Sequence, residues 1–292
     1  MKITRFKYVM FFLKHMAEPN IDKVIETLKN YIGKTISETE LKSMGEGTIP
    51  LVIKKSYAES GRYNSEDDGT KGSPVTIDRK IRSFVKSHED EIERILDMGC
   101  ANAKRTLRLF SNDEDGLKGL YGNGQRTLYD KTFELYGIEF PGKAAEAARR
   151  SLSQFRQGDF SIIKYASEEF DVVSLVGATF ACVPFESKRE QLLANVYRQL
   201  KRGGYFILTC SHGMKSRETD EPYKPGSYLV FAENDREAVE RPKRENKTPR
   251  LSYIFNRDSL ISTVKKPGFS LIYDASVPWN GYERRLYLFK KI

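Results

Sequence analysis

Between residues 93 and 210 the chain alternates short apolar runs with longer amphipathic ones. The run FDVVSLV, residues 170–176, is almost continuously apolar, as a strand covered on both faces requires. Residues 186–200 place Leu192, Leu193, Val196, Tyr197 and Leu200 at helical spacing. Gly203-Gly204 is expected to stop that helix, and 205–210 read as the next strand. Further strands are predicted at 93–98 and 133–140, with another short one ahead of Asp159. Further helices are predicted at 80–91, 101–110 and 142–152. The alternation predicts an α/β fold with a doubly wound, mostly parallel sheet. Ligands of such sheets lie at the carboxyl ends of the strands, near the switch point.

The flanks read differently. Residues 1–75 are expected to form a helical N-terminal extension or lid, with helices at 21–31 and 37–44, and residues 76–292 a ligand-binding domain with an insertion at 213–250. The first 19 residues predict an amphipathic helix rather than a signal peptide, because the apolar run 8–13 is short and no small-residue cleavage site follows. Residues 59–74, rich in Gly, Ser and Asp, predict a polar loop, and Ser111 to Gly124 a loop insertion between helix and strand. After a long polar segment, the end of the chain predicts one helix and two strands.

Composition narrows the class. The chain has 292 residues and a net charge of +9, a mild basic bias that permits nucleic-acid contact without demanding it. No apolar run is long enough to span a membrane. Cys100, Cys182 and Cys210 each lie in or beside an apolar stretch, without CxxC or Cys/His spacing. That predicts reduced thiols in a cytoplasmic protein, and no metal site.

Four strand ends carry chemistry. In ILDMGCANAKRTLRL, Asp97 closes a strand, Gly99 opens a tight turn, and the next helix offers free N–H groups to an anion. In YGIEF, Glu139 stands where a carboxylate can accept from two vicinal ribose hydroxyls. In QGDF, Asp159 can accept from an exocyclic amine, with Phe160 against the ring face. The run FDVVSLVGATF delivers Val176, Gly177 and Ala178 to the cleft. The dinucleotide fingerprint G-x-G-x-x-G is absent, since Ala101 and Lys104 stand at its later glycine positions.

This ordered set resembles the class I S-adenosylmethionine-dependent methyltransferases. LLANVYRQLKRGGYFIL is similar to that family's helix, Gly-Gly turn and fifth strand, and YIFNRDSLISTVKKPGFSLI to its late helix and strand. The resemblance implies a seven-stranded, Rossmann-like sheet with a reversed last strand, and S-adenosyl-L-methionine as cofactor. It implies that the Asp97/Gly99 turn, with Cys100 and Ala101, holds the methionine end. It further implies Glu139 at the ribose, Asp159 and Phe160 at the adenine, Val176 to Ala178 along the cleft, and Phe140 among the cofactor-binding residues. Tyr57 and Tyr63 stand either to fold over the cofactor, as similar tyrosines do in that family, or simply to pack. Ala101 and Ala103 depart from the family's glycines, which is compatible with binding only if neither needs a positive φ.

The expected activity is methyl transfer to an O or N nucleophile. His212, after the fifth strand, is the candidate general base; His15 and His88 are read as surface or packing residues. A small-molecule acceptor is the first expectation. The alternatives are an RNA (tRNA or cap-like) methyltransferase, for which the run ERPKRENKTPR at 240–250 is a candidate phosphate strip, and a non-catalytic cofactor-binding scaffold. The oligomeric state is not encoded in any motif.

Overall fold

The computed structural model describes residues 20–58, 75–140, 142–177, 179–214, 221–231, 248–279 and 282–292. The expectations for residues 1–19, 59–74 (with Tyr63), Ala178 and most of 240–250 lie outside the described residues, as does the side chain of Tyr57.

In chain order the strands are β1 (Thr35–Ile36), β2 (Arg94–Met98), β3 (Glu134–Glu139), β4 (Gln154–Gln157), β5 (Phe170–Leu175), β6 (Leu200–His212), β7 (Tyr228–Phe231), β8 (Arg250–Tyr253), β9 (Phe269–Trp279) and β10 (Tyr282–Lys291). Seven form one sheet in the order β4-β3-β2-β5-β6-β10-β9. The pairs among β2 to β6 are parallel, and β10 runs antiparallel to both β6 and β9. The order turns back at β2, so the carboxyl ends of β2, β3 and β5 open into one crevice.

Both faces of the sheet are covered. Helix Val75–Ser87 packs Ile77, Ile81 and Val85 on one face, beside Ile95, Val172 and Ile207. Helices Glu186–Gln199 and Arg257–Lys265 pack Leu192, Leu193, Val196, Leu260 and Val264 on the other, beside Leu96, Val173 and Phe206. At roughly 25 cal/mol per Å2 of apolar surface removed from water, these two layers dominate the driving force for folding.

Three expectations need correcting. The 111–124 insertion is not a plain loop: helix Glu114–Tyr121 forms there, capped by Asp113, whose carboxylate accepts from the Gly116 amide at 2.9 Å. The buried Arg82 guanidinium holds this excursion by donating to the carbonyls of Arg108, Ser111 and Thr127. Gly203-Gly204 does not stop the preceding helix, which ends at Gln199. The pairing of β5 with β6 jumps from Phe170–Leu200 to Val172–Tyr205, so the glycines lie in a bulge. Finally, the extension is not purely helical. Helices Ile21–Lys29, Glu38–Ser43 and Ile49–Ala58 accompany β1, which pairs with β7, itself paired with β8. The extension and the strands after β6 thus share one core, with Leu28, Leu41 and Val52 packed beside Tyr228, Val230 and Leu251.

This unit forms a cap seated on the crevice. Glu38 accepts from the Glu186 amide and from the hydroxyl of Tyr228, each at 3.2 Å. The buried Arg189 donates to Tyr228 at 2.7 Å and to Glu38 at 3.4 Å, and its guanidinium lies 3.8 Å from the Tyr253 ring centroid. The Tyr228 hydroxyl also accepts from the Phe185 amide at 2.7 Å. These contacts join the cap to the loop that leaves β5.

Candidate active site

Asp97 closes β2 and is almost fully buried. Its Oδ1 accepts from Ser174 at 2.7 Å and its Oδ2 from Thr106 at 2.6 Å. Burial raises its pKa against those two hydrogen bonds. The carboxylate therefore ties β2 to β5 and to helix Lys104–Phe110. Both of its oxygens are thus engaged within the protein.

That turn is tight. Gly99 has φ +79°, and a Cβ there would lie 2.4 Å from Thr179 Cγ2, so no side chain fits. Ala101 (φ +49°) and Ala103 (φ +63°) both occupy the left-handed region. The expectation that neither alanine takes a positive φ is thus not met: the turn forms with both left-handed, at a cost of about 1 kcal/mol each relative to glycine, and their methyl groups are accommodated. What the strain achieves is visible at Ala101, whose amide donates to Glu139 Oε2 at 2.6 Å. Cys100 is buried against β3, and burial pushes its thiol well above the usual range, which argues against a nucleophilic role.

Glu139 ends β3 and stays half-buried at the crevice. Its Oε1 accepts from the Phe140 amide at 2.8 Å. Burial pushes the carboxyl up to about 7, although both backbone hydrogen bonds favour the charged form. Each oxygen has acceptor capacity beyond its one backbone hydrogen bond. Beyond β4, Asp159 Oδ1 accepts from the Ser161 amide at 2.9 Å and the Ser161 hydroxyl at 2.6 Å. Its Oδ2 lies 3.5 Å from Lys54 Nζ, on helix Ile49–Ala58. Phe140 and Phe160 pack with centroids 5.4 Å apart. Val176 is buried, and Gly177 (φ +89°) exchanges hydrogen bonds with Thr209, donating its amide at 2.7 Å. Arg105 Nη1 approaches Gly177, while Arg105 and Arg108 both pair with the buried Asp78.

His212 is where the sequence reading fails. It does not follow the strand as a loop residue but ends β6, buried. Its Nε2 lies 2.9 Å from the Tyr287 hydroxyl and its Nδ1 3.2 Å from the Phe255 carbonyl. The carbonyl can only accept, so Nδ1 carries the proton and Nε2 accepts from Tyr287. Burial first, then the nearby Arg285 charge, lowers its pKa to about 4. The ring is held neutral, and both nitrogens are hydrogen-bonded within the protein.

A model of a methyltransferase domain matches residues 119–208, which run from helix Glu114–Tyr121 to the middle of β6. The sheet that holds these residues has one reversed strand, β10. The fold is that of the Rossmann-like methyltransferases. Among solved structures, the methyltransferase CcbJ from Streptomyces caelestis is similar at 14% identity, covering 82% of this chain and 98% of that one, with a TM-score of 0.55. The 1,6-didemethyltoxoflavin-N1-methyltransferase of Burkholderia thailandensis, solved with 1,6-didemethyltoxoflavin and S-adenosylhomocysteine, is similar at 14% identity, 83% and 88% coverage, and a TM-score of 0.54. The N-methyltransferase NodS from Bradyrhizobium japonicum gives 12%, 82% and 98%, and 0.51. No curated protein sequence matches.

The crevice suits S-adenosylmethionine. A side-chain-free turn at Gly99 admits a close approach of the ligand to the backbone, and a half-buried carboxylate at Glu139 keeps acceptor capacity. The aromatic pair Phe140–Phe160 lies beside an acidic turn. Three contributors were missed in the sequence. Ser174 and Thr106 carry no motif signal, although a hydroxyl three residues before Gly177 on a buried strand needs a partner. Lys54 lies in the extension, far from any strand end.

Proposed function

We propose that this methyltransferase transfers a methyl group to a nitrogen, or less readily an oxygen, of a small molecule bound between crevice and cap. In that reading Gly99, Ala101 and Gly177 receive the methionine end of the cofactor. Glu139 accepts from the ribose hydroxyls, and Asp159, Phe140 and Phe160 hold the adenine. When bound, the cofactor supplies a methyl on a sulfonium, whose departure leaves a neutral thioether. The protein's task is then alignment and water exclusion, and alignment alone can supply several kcal/mol.

The observation that carries this reading is the cap. Glu38, Tyr228 and Arg189 tie it to the loop after β5, and Lys54 ties it to the turn after β4. Both ties lie on the carboxyl side of the sheet. An acceptor held under a folded cover is best a compact molecule. Both nitrogens of His212 are occupied, so an uncharged amine, which needs no prior proton removal, suits the pocket better than a hydroxyl.

The test is transfer of a labelled methyl group to a panel of small amines, phenols and sugars, with total RNA in a parallel arm. Label in an amine-bearing small molecule is expected. Label found only in RNA would overturn the small-molecule reading.

A further inference from the structure

Lys54 holds a position that the cofactor reading leaves without a role. Its ammonium lies 3.5 Å from Asp159 Oδ2 and 5.7 Å from the centroid of the Phe140 ring. The distance to Asp159 exceeds that of a normal charged hydrogen bond, about 2.8 Å, so the carboxylate oxygen is neighboured rather than sealed. Oδ1 of Asp159 is already engaged twice by Ser161, which leaves Oδ2 as the oxygen open to a further donor. A donor thus lies over the Phe140 ring with an acceptor beside it.

That arrangement has a complement. Adenine carries an exocyclic amine, which donates, flanked on either side by ring nitrogens that accept. We propose that Lys54 is a specificity-determining residue of the cofactor site: its ammonium donates to a ring nitrogen of adenine while Asp159 Oδ2 accepts from the neighbouring amine. The inference rests on the assignment of Asp159 to the adenine end. It makes helix Ile49–Ala58, and with it the N-terminal extension, part of the cofactor site. Cofactor binding then adds a contact between cap and sheet, so an occupied site holds the cap down more firmly than an empty one.

The test is calorimetric titration of S-adenosylhomocysteine and its 1-deaza and 7-deaza analogues, which keep the amine but replace one ring nitrogen by C–H. Each is titrated into the wild-type chain, Lys54→Met and Lys54→Arg. For the parent ligand, Lys54→Met is expected to weaken binding by about tenfold or more, the worth of one charge-assisted hydrogen bond. Lys54→Arg restores most of it. In the wild type one deaza analogue binds about tenfold more weakly than the parent, and in Lys54→Met that difference disappears, as a double-mutant cycle requires. A merely structural lysine would lower affinity for all three ligands alike. Lys54→Met binding the parent as tightly as wild type, or retaining the wild-type deaza difference, would overturn the proposal. Failure of the wild type to bind the parent ligand at all would instead overturn the underlying cofactor assignment.

Discussion

The Ala101 amide donates to the Glu139 carboxylate at 2.6 Å, bridging the turn after β2 to the end of β3. The bond depends on Ala101 holding a positive φ, and it fixes the carboxylate at the end of β3. Two strand ends are joined before any ligand arrives, so the site is preorganised in part at the cost of backbone strain.

Glu139 makes cofactor binding depend on pH. Its carboxyl is raised from an ordinary 4.5 to about 7. The folded chain therefore holds this proton more tightly than the unfolded chain, and the stability this contributes is lost as pH rises from about 4.5 through about 7. Ribose hydroxyls donate to the charged form, so the ligand opposes that protonation. Affinity for S-adenosylhomocysteine is expected to be flat above pH 8 and to fall by up to about tenfold per pH unit below 7. Calorimetry across pH 5.5 to 9, in buffers of different ionisation enthalpy, would also register the proton released on binding at pH 6.

Ala101→Gly is expected to raise stability by about 1 kcal/mol, because glycine adopts the left-handed conformation without strain. Ala103→Gly is expected to gain less. Its methyl group is fully buried, and losing one buried methyl costs about 0.8 kcal/mol. Urea unfolding of the two variants separates strain relief from lost packing.

His212 is expected to stay neutral where ordinary histidines titrate. Its folded pKa of about 4 lies below the usual 6.5. The stability this contributes is present above pH 6.5 and lost as pH falls toward 4. Nuclear magnetic resonance of the imidazole signals should find this ring unprotonated at pH 5.5, with the proton on Nδ1. A His212 pKa near 6.5 would contradict the buried arrangement.

Arg189→Met is expected to destabilise the chain by about 3 kcal/mol, the lower end for breaking a buried ion pair, because Glu38 keeps some solvent. The loss should fall on the cap. Hydrogen exchange in β7 and β8 is expected to quicken more than in β2 and β5, because Arg189 donates to Tyr228 of β7 and lies over Tyr253 of β8.

What the sequence disclosed follows from where its signals are strongest. Parallel strands buried on both faces leave continuous apolar runs, so the ends of β2, β3 and β5, and with them Asp97, Glu139 and Gly177, could be located. Helix Glu114–Tyr121 was hidden by Gly116 and Gly119, which weaken helical propensity, while its stability comes from the Asp113 cap and the distant Arg82. The cap was hidden because β1 is only two residues long and pairs with β7 almost two hundred positions later. The left-handed alanines were illegible because only glycine advertises that conformation. Lys54 and the enclosure of His212 depend on tertiary partners that no local pattern encodes.

The central claim is that the crevice bounded by Gly99, Glu139, Asp159 and Gly177 binds the methyl donor. Its most direct test is titration of S-adenosylmethionine and S-adenosylhomocysteine into the wild-type chain and into Glu139→Ala, with thermal unfolding to verify that the variant is folded. The account predicts micromolar binding to the wild type, lost or weakened at least about a hundredfold in the variant, the worth of two hydrogen bonds to a charged group. Equal affinity in the two chains, or no binding to the wild type, would contradict it.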